Sequence, residues 1–207
     1  MINKRTFLTV FAAVLICAAP LFAAPAQVII IRHGEKPAQG SGLNARGFQR
    51  ARALVKFFQS APEVTRYGTP AAIYAMAPKD AAGSVRAIQT VTPLADSLKL
   101  TINKGYTRDQ VDGLVKAVME APEYEGKMVL VCWEHKVIVR IAAALAAYGG
   151  SSQAAQGSLP ASWDGQVFDR AWVLDFSGGK LTSFRDIPQN VLPGDSVSKQ
   201  AAAETFY

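Results

Sequence analysis

Three short runs of almost wholly apolar residues predict strands that are buried on both faces of a sheet. The first of them, from Gln27 to Arg32, contains three consecutive isoleucines, whose β-branched side chains favour strands. The runs cover residues 27–32, 71–76 and 127–133. Two later runs, 170–176 and 180–185, are separated by Ser-Gly-Gly and predict a β-hairpin.

Between the strands, apolar residues recur every three or four positions, which predicts amphipathic helices. These helices cover residues 46–59, 84–98, 109–119 and 136–148. Ser84 stands where the second helix would begin and is predicted to be its N-cap. Strands that alternate with such helices form βαβ units, so we expect one α/β domain with three layers, α/β/α, around a mostly parallel sheet. In such a sheet, ligands bind beyond the carboxyl ends of the strands.

The first 24 residues have a different pattern. Lys4 and Arg5 precede an uncharged apolar run, and small residues follow, including Ala24-Pro25-Ala26. This order predicts a secretory signal peptide over residues 1–24, cleaved between Ala23 and Ala26. The alternative is an uncleaved anchor, but the apolar run before Pro20 is shorter than the roughly 20 residues that a spanning helix needs. Residues 25–207 then form the single domain, with a loose tail expected after about residue 188.

Composition narrows the possible functions. The chain has 207 residues and a formal net charge of +6, and without Lys4 and Arg5 the remainder carries about +4. This mild excess of positive charge slightly favours anionic ligands. The sequence has no basic block with interleaved aromatic residues, so nucleic-acid binding is not expected. Two cysteines exclude a four-cysteine zinc site. Since Cys17 lies in the predicted leader, Cys132 is left alone in an apolar run, as a core residue without a disulfide partner.

The chain has only two histidines, and both directly follow predicted strands. His33 follows the first strand, in Arg32-His33-Gly34-Glu35, and His135 follows the third, in Trp133-Glu134-His135. An isolated histidine is usually structural, but two at the carboxyl ends of strands indicate a ligand site. If the two strands are neighbours in the sheet, both imidazoles face one pocket.

Further motifs follow in order along the chain, and they cover about residues 27 to 185. After Arg32-His33-Gly34-Glu35 come Leu43–Gly47 at the start of a helix, Ser84–Thr90 with the sequence SVRAIQT, Val129–His135, and Phe168–Leu174 in a late strand. Together they resemble the histidine phosphatase superfamily, which includes the phosphoglycerate mutases and histidine acid phosphatases. The resemblance implies a phosphoglycerate mutase-like fold and chemistry on phosphate esters.

The resemblance also implies roles for four residues. Arg32 and Arg86 would bind the phosphoryl oxygens, since guanidinium groups bind phosphate in a bidentate manner and stay charged. His33 would attack phosphorus and become phosphohistidine. Protonated His135 would bind the phosphoryl group and stabilise its charge in the transition state. No metal or other cofactor is expected, because these residues supply the positive charge.

A general acid must protonate the leaving oxygen, and here the resemblance gives less guidance. Lys136 follows His135 where the acid phosphatases have an aspartate, while Glu134 directly precedes it. Glu134 is therefore the first candidate, with Asp80 and Asp109 as alternatives. Each carboxylate could instead be an ion-pair partner or lie exposed on a loop. Glu35 could orient an arginine or contact the substrate, and the first role is favoured.

These features predict a periplasmic or secreted phosphomonoesterase that acts on a small phosphorylated substrate. A sugar phosphate, a nucleotide and the phosphate of an envelope glycan all remain open as substrates. One alternative is a phosphotransferase of the phosphoglycerate mutase type, which would share the phosphohistidine step. Another is a non-catalytic envelope protein that binds a phosphorylated ligand.

Overall fold

A computed structural model describes residues 24–152 and 156–195 of the chain. The predicted signal peptide lies outside the described residues, apart from Ala24. The strands are β1 (Gln27–Arg32), β2 (Ala72–Ala75), β3 (Ile102–Asn103), β4 (Met128–Trp133), β5 (Arg170–Ser177) and β6 (Lys180–Pro188). The helices are α1 (Ala45–Ser60), α2 (Arg86–Leu98), α3 (Val111–Met119) and α4 (His135–Tyr148), with a short 3-10 helix at Pro122–Tyr124.

The six strands form one sheet in the order β3-β2-β4-β1-β5-β6. Strands β3, β2, β4 and β1 are parallel to one another, whereas β5 pairs with β1 and with β6 in antiparallel fashion. The β5–β6 pair is the predicted hairpin, with a turn at Gly178 and Gly179, both of which have positive φ. The prediction of an α/β fold with a mostly parallel sheet is confirmed.

The connections place a crevice between β1 and β4. From β1 the chain crosses to β2 and then to β3, whereas from β4 it crosses the opposite way to β5. Right-handed crossovers between parallel strands therefore put α1 and α2 on one face of the sheet and α3 on the other. Helix α4 packs against α3 and so lies on the same face as α3. The loops after β1 and β4 leave toward opposite faces, and the crevice between them is where doubly wound sheets bind ligands.

The core lies around β1 and β4, whose residues are all buried. Covering both faces of these strands with helices explains why their sequences are continuous apolar runs rather than alternating ones. Ile29, Ile30 and Ile31 are completely excluded from solvent. Each such side chain contributes about 1.5–3 kcal/mol through burial, so these strands form a rigid base for the residues at their ends.

Two local features differ from the predictions. Helix α2 begins at Arg86 with Val85 in the N-cap position, and its cap has no side-chain hydrogen bond. Ser84 is therefore not the N-cap, because Val85 N donates to the Ser41 carbonyl and the preceding loop fixes the start of the helix. Strand β3 was not predicted, since two residues are too few to show a periodic pattern.

The ends of the described region are attached to the domain. Ala26 O accepts a hydrogen bond from Phe176 N at 2.8 Å, and Pro25 forms a bridge with Glu125. At the other end, Asp195 pairs with Arg50. The looseness of the tail after about residue 188 stays a prediction. Within residues 24–152 and 156–195, no helix is long and apolar enough to cross a membrane.

Candidate active site

His33 lies at the end of β1 and is only 4% exposed. Its Nδ1 lies 2.7 Å from the Gly34 carbonyl oxygen, which makes Nδ1 the protonated nitrogen and leaves Nε2 with a lone pair. Burial lowers the pKa of His33 to about 4, and the charges of Arg32, Arg86 and His135 act in the same direction. The imidazole is therefore neutral at neutral pH and available as a nucleophile.

The loop around residues 165–168 holds Arg32. Nη1 donates to the carbonyl oxygens of Gly165 and Val167 at 2.8 and 2.9 Å, and the guanidinium carbon lies 3.7 Å from the centre of the Phe168 ring. Burial lowers the pKa of Arg32 to about 10, which leaves it charged at neutral pH. Its buried Nε has no acceptor among the described residues. A buried donor without an acceptor is unfavourable, and an anionic ligand would supply one.

Arg86 is the first residue of α2 and reaches over the loop that precedes α1. Its Nε donates to the Gly42 carbonyl at 3.1 Å, and Nη2 donates to the Gly40 carbonyl. These two bonds fix the guanidinium and leave further N–H groups for an anion. The first turn of a helix also favours negative charge, because its N–H groups have no partners within the helix.

His135 is the first residue of α4, directly beyond β4. Since β1 and β4 are neighbours, with Arg32 opposite Trp133, the two histidines leave adjacent strands at the same edge of the sheet. Burial lowers the pKa of His135, and the charge of Arg32 lowers it further. Arg32, His33 and His135 are thus brought together at the crevice, and Arg86 lies close enough for its charge to act on His33.

Close packing of two glycines holds β1 against α1. A Cβ on Gly34 would lie 3.1 Å from Gly47 Cα, which is closer than most side chains tolerate. A Cβ on Gly47 would collide with the Glu35 backbone. The glycine of the first motif and the glycine of the Leu43–Gly47 motif are therefore required by the same contact, which places the start of α1 beside His33.

The three candidate acids have different surroundings. Glu134 accepts a hydrogen bond from Arg108 Nε at 2.7 Å, and its side chain is 19% exposed. Asp109 is 68% exposed and pairs with Arg108 at 2.9 Å and with Arg140 at 3.7 Å. Asp80 lies exposed on a loop, where its Oδ1 accepts from Ala82 N. Of the three, only Glu134 is both adjacent in sequence to a candidate site residue and partly buried. Its negative charge acts on Arg32 and partly offsets the lowering of the Arg32 pKa by burial.

Glu35 binds arginine side chains, as predicted. It accepts hydrogen bonds from Arg50 at 2.7 Å and from Arg46 at 3.1 Å. Burial alone would raise the pKa of Glu35, but the hydrogen bonds and positive charges of these arginines outweigh burial and lower it. Arg50 also pairs with Asp195 at 2.7 Å, and both side chains are almost fully buried. A cluster of Glu35, Arg50 and Asp195 therefore lies just beyond His33.

Sequence reasoning missed several residues that position the site. Thr90 Oγ1 accepts from Gly34 N at 2.8 Å and donates to the Arg86 carbonyl, so it joins the two motifs directly. Gln89 Oε1 accepts from Leu43 N and fixes the loop below Arg86. Both residues belong to the SVRAIQT motif, and their place in that motif was the signal from which their role could have been predicted. Nothing local in the sequence indicated that the carbonyl oxygens of Gly165 and Val167 bind Arg32.

Among the described residues, no group of three or more His, Cys, Asp and Glu side chains is arranged to hold a metal ion. Cys132 is buried near the carboxyl end of β4, and burial raises the pKa of its thiol. It is therefore an unreactive core residue, as expected from its apolar neighbours.

No protein-family model matches the chain, and no curated protein matches it. Solved structures do match. The protein histidine phosphatase SixA, in complex with tungstate, is 20% identical, with coverage of 79% of this chain and 97% of that one and a TM-score of 0.54. A protein from Escherichia coli assigned as an alpha-ribazole-5'-P phosphatase is 15% identical, with coverage of 80% and 98% and a TM-score of 0.51. The chain therefore has the fold of the histidine phosphatases, and that expectation from the sequence is confirmed.

Proposed function

We propose that this protein is a phosphomonoesterase that forms a phosphohistidine on Nε2 of His33. The convergence of charges on His33 carries the proposal, because Arg32, Arg86 and His135 are all close enough to lower its pKa. A neutral imidazole close to the guanidinium cations of Arg32 and Arg86 is suited to attack a dianion, since the cations offset the repulsion between nucleophile and phosphate. The resemblance in fold to a phosphatase that binds tungstate, a tetrahedral oxyanion, supports the same assignment.

In the first step, the lone pair on Nε2 attacks phosphorus and a nitrogen–phosphorus bond forms. The bond between phosphorus and the ester oxygen breaks, and that oxygen takes a proton from an acid. Arg32, Arg86 and His135 bind the other phosphoryl oxygens. The pKa of His135 is lowered in the free site, mainly by burial, but a bound dianion favours its protonated form.

In the second step, water attacks the phosphohistidine. The nitrogen–phosphorus bond breaks, its electron pair returns to Nε2, and the proton lost by water returns to the base that was formed in the first step. Phosphate leaves, and His33 is again neutral. We retain Glu134 as the group that gives and regains this proton, because it precedes His135 and is partly buried. Its bond from Arg108 is exposed enough to break during turnover.

We further propose that the protein is exported to the periplasm or beyond and acts there on a small phosphorylated molecule. The basic and apolar leader before Ala24 supports export. Cell fractionation, with the mass of the mature amino terminus, tests this. A mature chain that begins between residues 24 and 27 is expected, and a full-length chain that stays with the membrane would contradict cleavage.

The main test is hydrolysis of 4-nitrophenyl phosphate by the purified mature domain and by His33→Ala. We expect phosphate release that falls by at least 10³-fold in the variant, because the nucleophile is lost. Rapid quenching should trap an acid-labile, base-stable phosphoryl group in the wild type only. Lys180→Ala, at an exposed position that begins β6 at the opposite edge of the sheet from His33, is the control and should retain activity. Absence of His33-dependent release across several phosphomonoesters would overturn the proposal.

A further inference from the structure

Two recesses flank the candidate site. They differ in whether the charged side chains that line them are paired with one another. One, of about 290 Å³, lies on the β1 side and is lined by Glu35, Arg50 and Asp195, which neutralise one another. The other, of about 500 Å³, lies on the β4 side and is lined by His135, Lys136, Val139, Arg140, Ala161, Ser162, Trp163 and Gly165. The second is within the size range of small-molecule sites.

The second recess, here called the α4 recess, is continuous with the candidate site. His135 belongs to both. Gly165, whose carbonyl accepts a hydrogen bond from Arg32, packs against the His135 ring, since a Cβ added to Gly165 would lie 3.3 Å from His135 Nε2. A phosphoryl group held by Arg32 and His135 would therefore leave the rest of its substrate next to this space.

The charged groups of the α4 recess are mainly basic. Lys136 and Arg140 lie four residues apart on α4 and so share one face of the helix. Across residues 24–152 and 156–195, the Lys136 side chain has no ion pair or hydrogen bond. Arg140 has only a long, exposed pair with Asp109 at 3.7 Å, and such pairs contribute little and can be exchanged for a ligand. Two cations available for a ligand in a recess beside a phosphoryl site favour a second negative charge there.

Trp163 supplies an apolar wall to the same recess. It is 7% exposed, its indole Nε1 donates to the Val167 carbonyl at 2.9 Å, and its ring packs on Trp172. The ring is therefore held by the loop that also holds Arg32. A rigid apolar wall with cations on one side is suited to a ligand that has an apolar face and an anionic edge.

We propose that the leaving group of the substrate carries a second anionic group, a carboxylate, a sulfate or another phosphate, which Lys136 and Arg140 bind. This inference rests on the proposed phosphomonoesterase activity and narrows its substrate class from phosphomonoesters in general to those with an anionic leaving group. The second anion adds charge-assisted hydrogen bonds outside the phosphoryl site, so it should strengthen binding without taking part in the chemistry.

Two matched series of compounds test it. The first series is phenyl phosphate and its 3- and 4-carboxyphenyl analogues, compared by kcat/KM. The second series is benzenephosphonate and its 3- and 4-carboxylated analogues, which are not hydrolysed and are compared by calorimetric Kd. We expect the wild type to prefer a carboxylated compound by about tenfold or more in both series, and Lys136→Gln with Arg140→Gln to remove the preference while the compounds without a carboxylate change little.

The control is Lys116→Gln with Arg66→Gln, which removes the same charges from exposed positions outside the α4 recess and should keep the preference. A wild type without preference, or a preference that survives in the Lys136 and Arg140 variant, would overturn the inference. Loss of hydrolysis of every compound with an intact binding preference would overturn the phosphomonoesterase proposal alone, because the phosphonate measurements do not depend on turnover.

Discussion

The two sides of the candidate site are built on different kinds of ion pairs. On the β1 side, Arg50 pairs with Glu35 and Asp195, and the side chains of Arg50 and Asp195 are 2% and 3% exposed. On the β4 side, Arg108 pairs with Glu134 and Asp109, and the Arg108 side chain is 46% exposed. Each group of ion pairs adjoins one of the two histidines in sequence.

The difference separates a structural role from a chemical one. Charges removed from water must keep their partners, since an unpaired buried charge is very unfavourable. Exposed charges can exchange partners with water, ligand or proton at little cost. The β1 side therefore fixes His33 in place, whereas the β4 side has carboxylates and cations that can change partners during a reaction.

Arg50→Met should have the largest effect, because it leaves Glu35 and Asp195 without their shared cation. We expect the free energy of unfolding to fall by about 3–5 kcal/mol, as for other broken buried pairs. Urea unfolding followed by circular dichroism measures it. Arg170→Met, which breaks the more exposed pair with Asp186, is the control and should cost about 1 kcal/mol or less. Equal losses in the two variants would contradict the distinction between the sides.

Acid should weaken the β1 side through His33 before its carboxylates protonate. Burial lowers the pKa of His33 to about 4, so the unfolded chain binds its proton near pH 6.5 while the folded chain does not. Stability is therefore present above pH 6.5 and is lost as the pH falls toward 4, by ~2.5 kcal/mol at pH 4.5. Denaturant unfolding at each pH measures this loss. In His33→Ala, most of the slope between pH 6.5 and 4.5 should disappear, and an unchanged slope would contradict burial of a neutral imidazole.

Glu134→Gln should affect activity rather than stability. If Glu134 donates the proton, the first-turnover release of alcohol from an alkyl phosphate should fall about 10²-fold, while the first-turnover release of nitrophenolate from 4-nitrophenyl phosphate changes little, because nitrophenolate leaves without a proton. Single-turnover kinetics with both substrates measures the difference, since the later attack by water loses its base with either substrate. Asp80→Asn and Asp109→Asn are the controls, and the same selective loss in either would assign the proton to that residue. Unchanged rates for both substrates in Glu134→Gln would exclude Glu134.

Arg108→Gln should have the smallest effect on stability. Its pairs with Glu134 and Asp109 are largely exposed, so we expect a loss of about 0.2–1 kcal/mol that decreases further with added salt. Thermal unfolding at low and high salt measures both quantities. A loss comparable to that of Arg50→Met would show that the β4 side is as firmly built as the β1 side.

Sequence patterns predicted most elements of the fold because burial imposes its periodicity directly on the chain. The runs at β1 and β4 are continuous because helices cover both faces, and the four helices were found from their apolar stripes. The two-residue strand β3 and the cap of α2 were not found. Both depend on contacts with distant segments, namely β2 for β3 and the Ser41 carbonyl for α2.

The same distinction applies to the candidate site. The residue types and order of Arg32, His33, Arg86 and His135 were evident from the sequence. The adjacency of β1 and β4 brings Arg32, His33 and His135 together, whereas Arg86 is joined to them through the Thr90 contact with Gly34. Their catalytic roles stay predictions. The groups that hold these residues in place were not evident, since the carbonyl oxygens that bind Arg32 are 133 and 135 residues away in sequence.

The sequence by itself therefore determined the layers of the fold and the chemistry that it places at the ends of two strands, because periodicity and residue type are local properties. Only the tertiary structure decided which charges are paired, which are buried and which are available to a ligand. Glu35 and Glu134 are both carboxylates beside a site histidine, and nothing local distinguishes them. The fold pairs the first with the buried Arg50 and the second with the largely exposed Arg108, and the burial of the partner then gives identical side chains different properties.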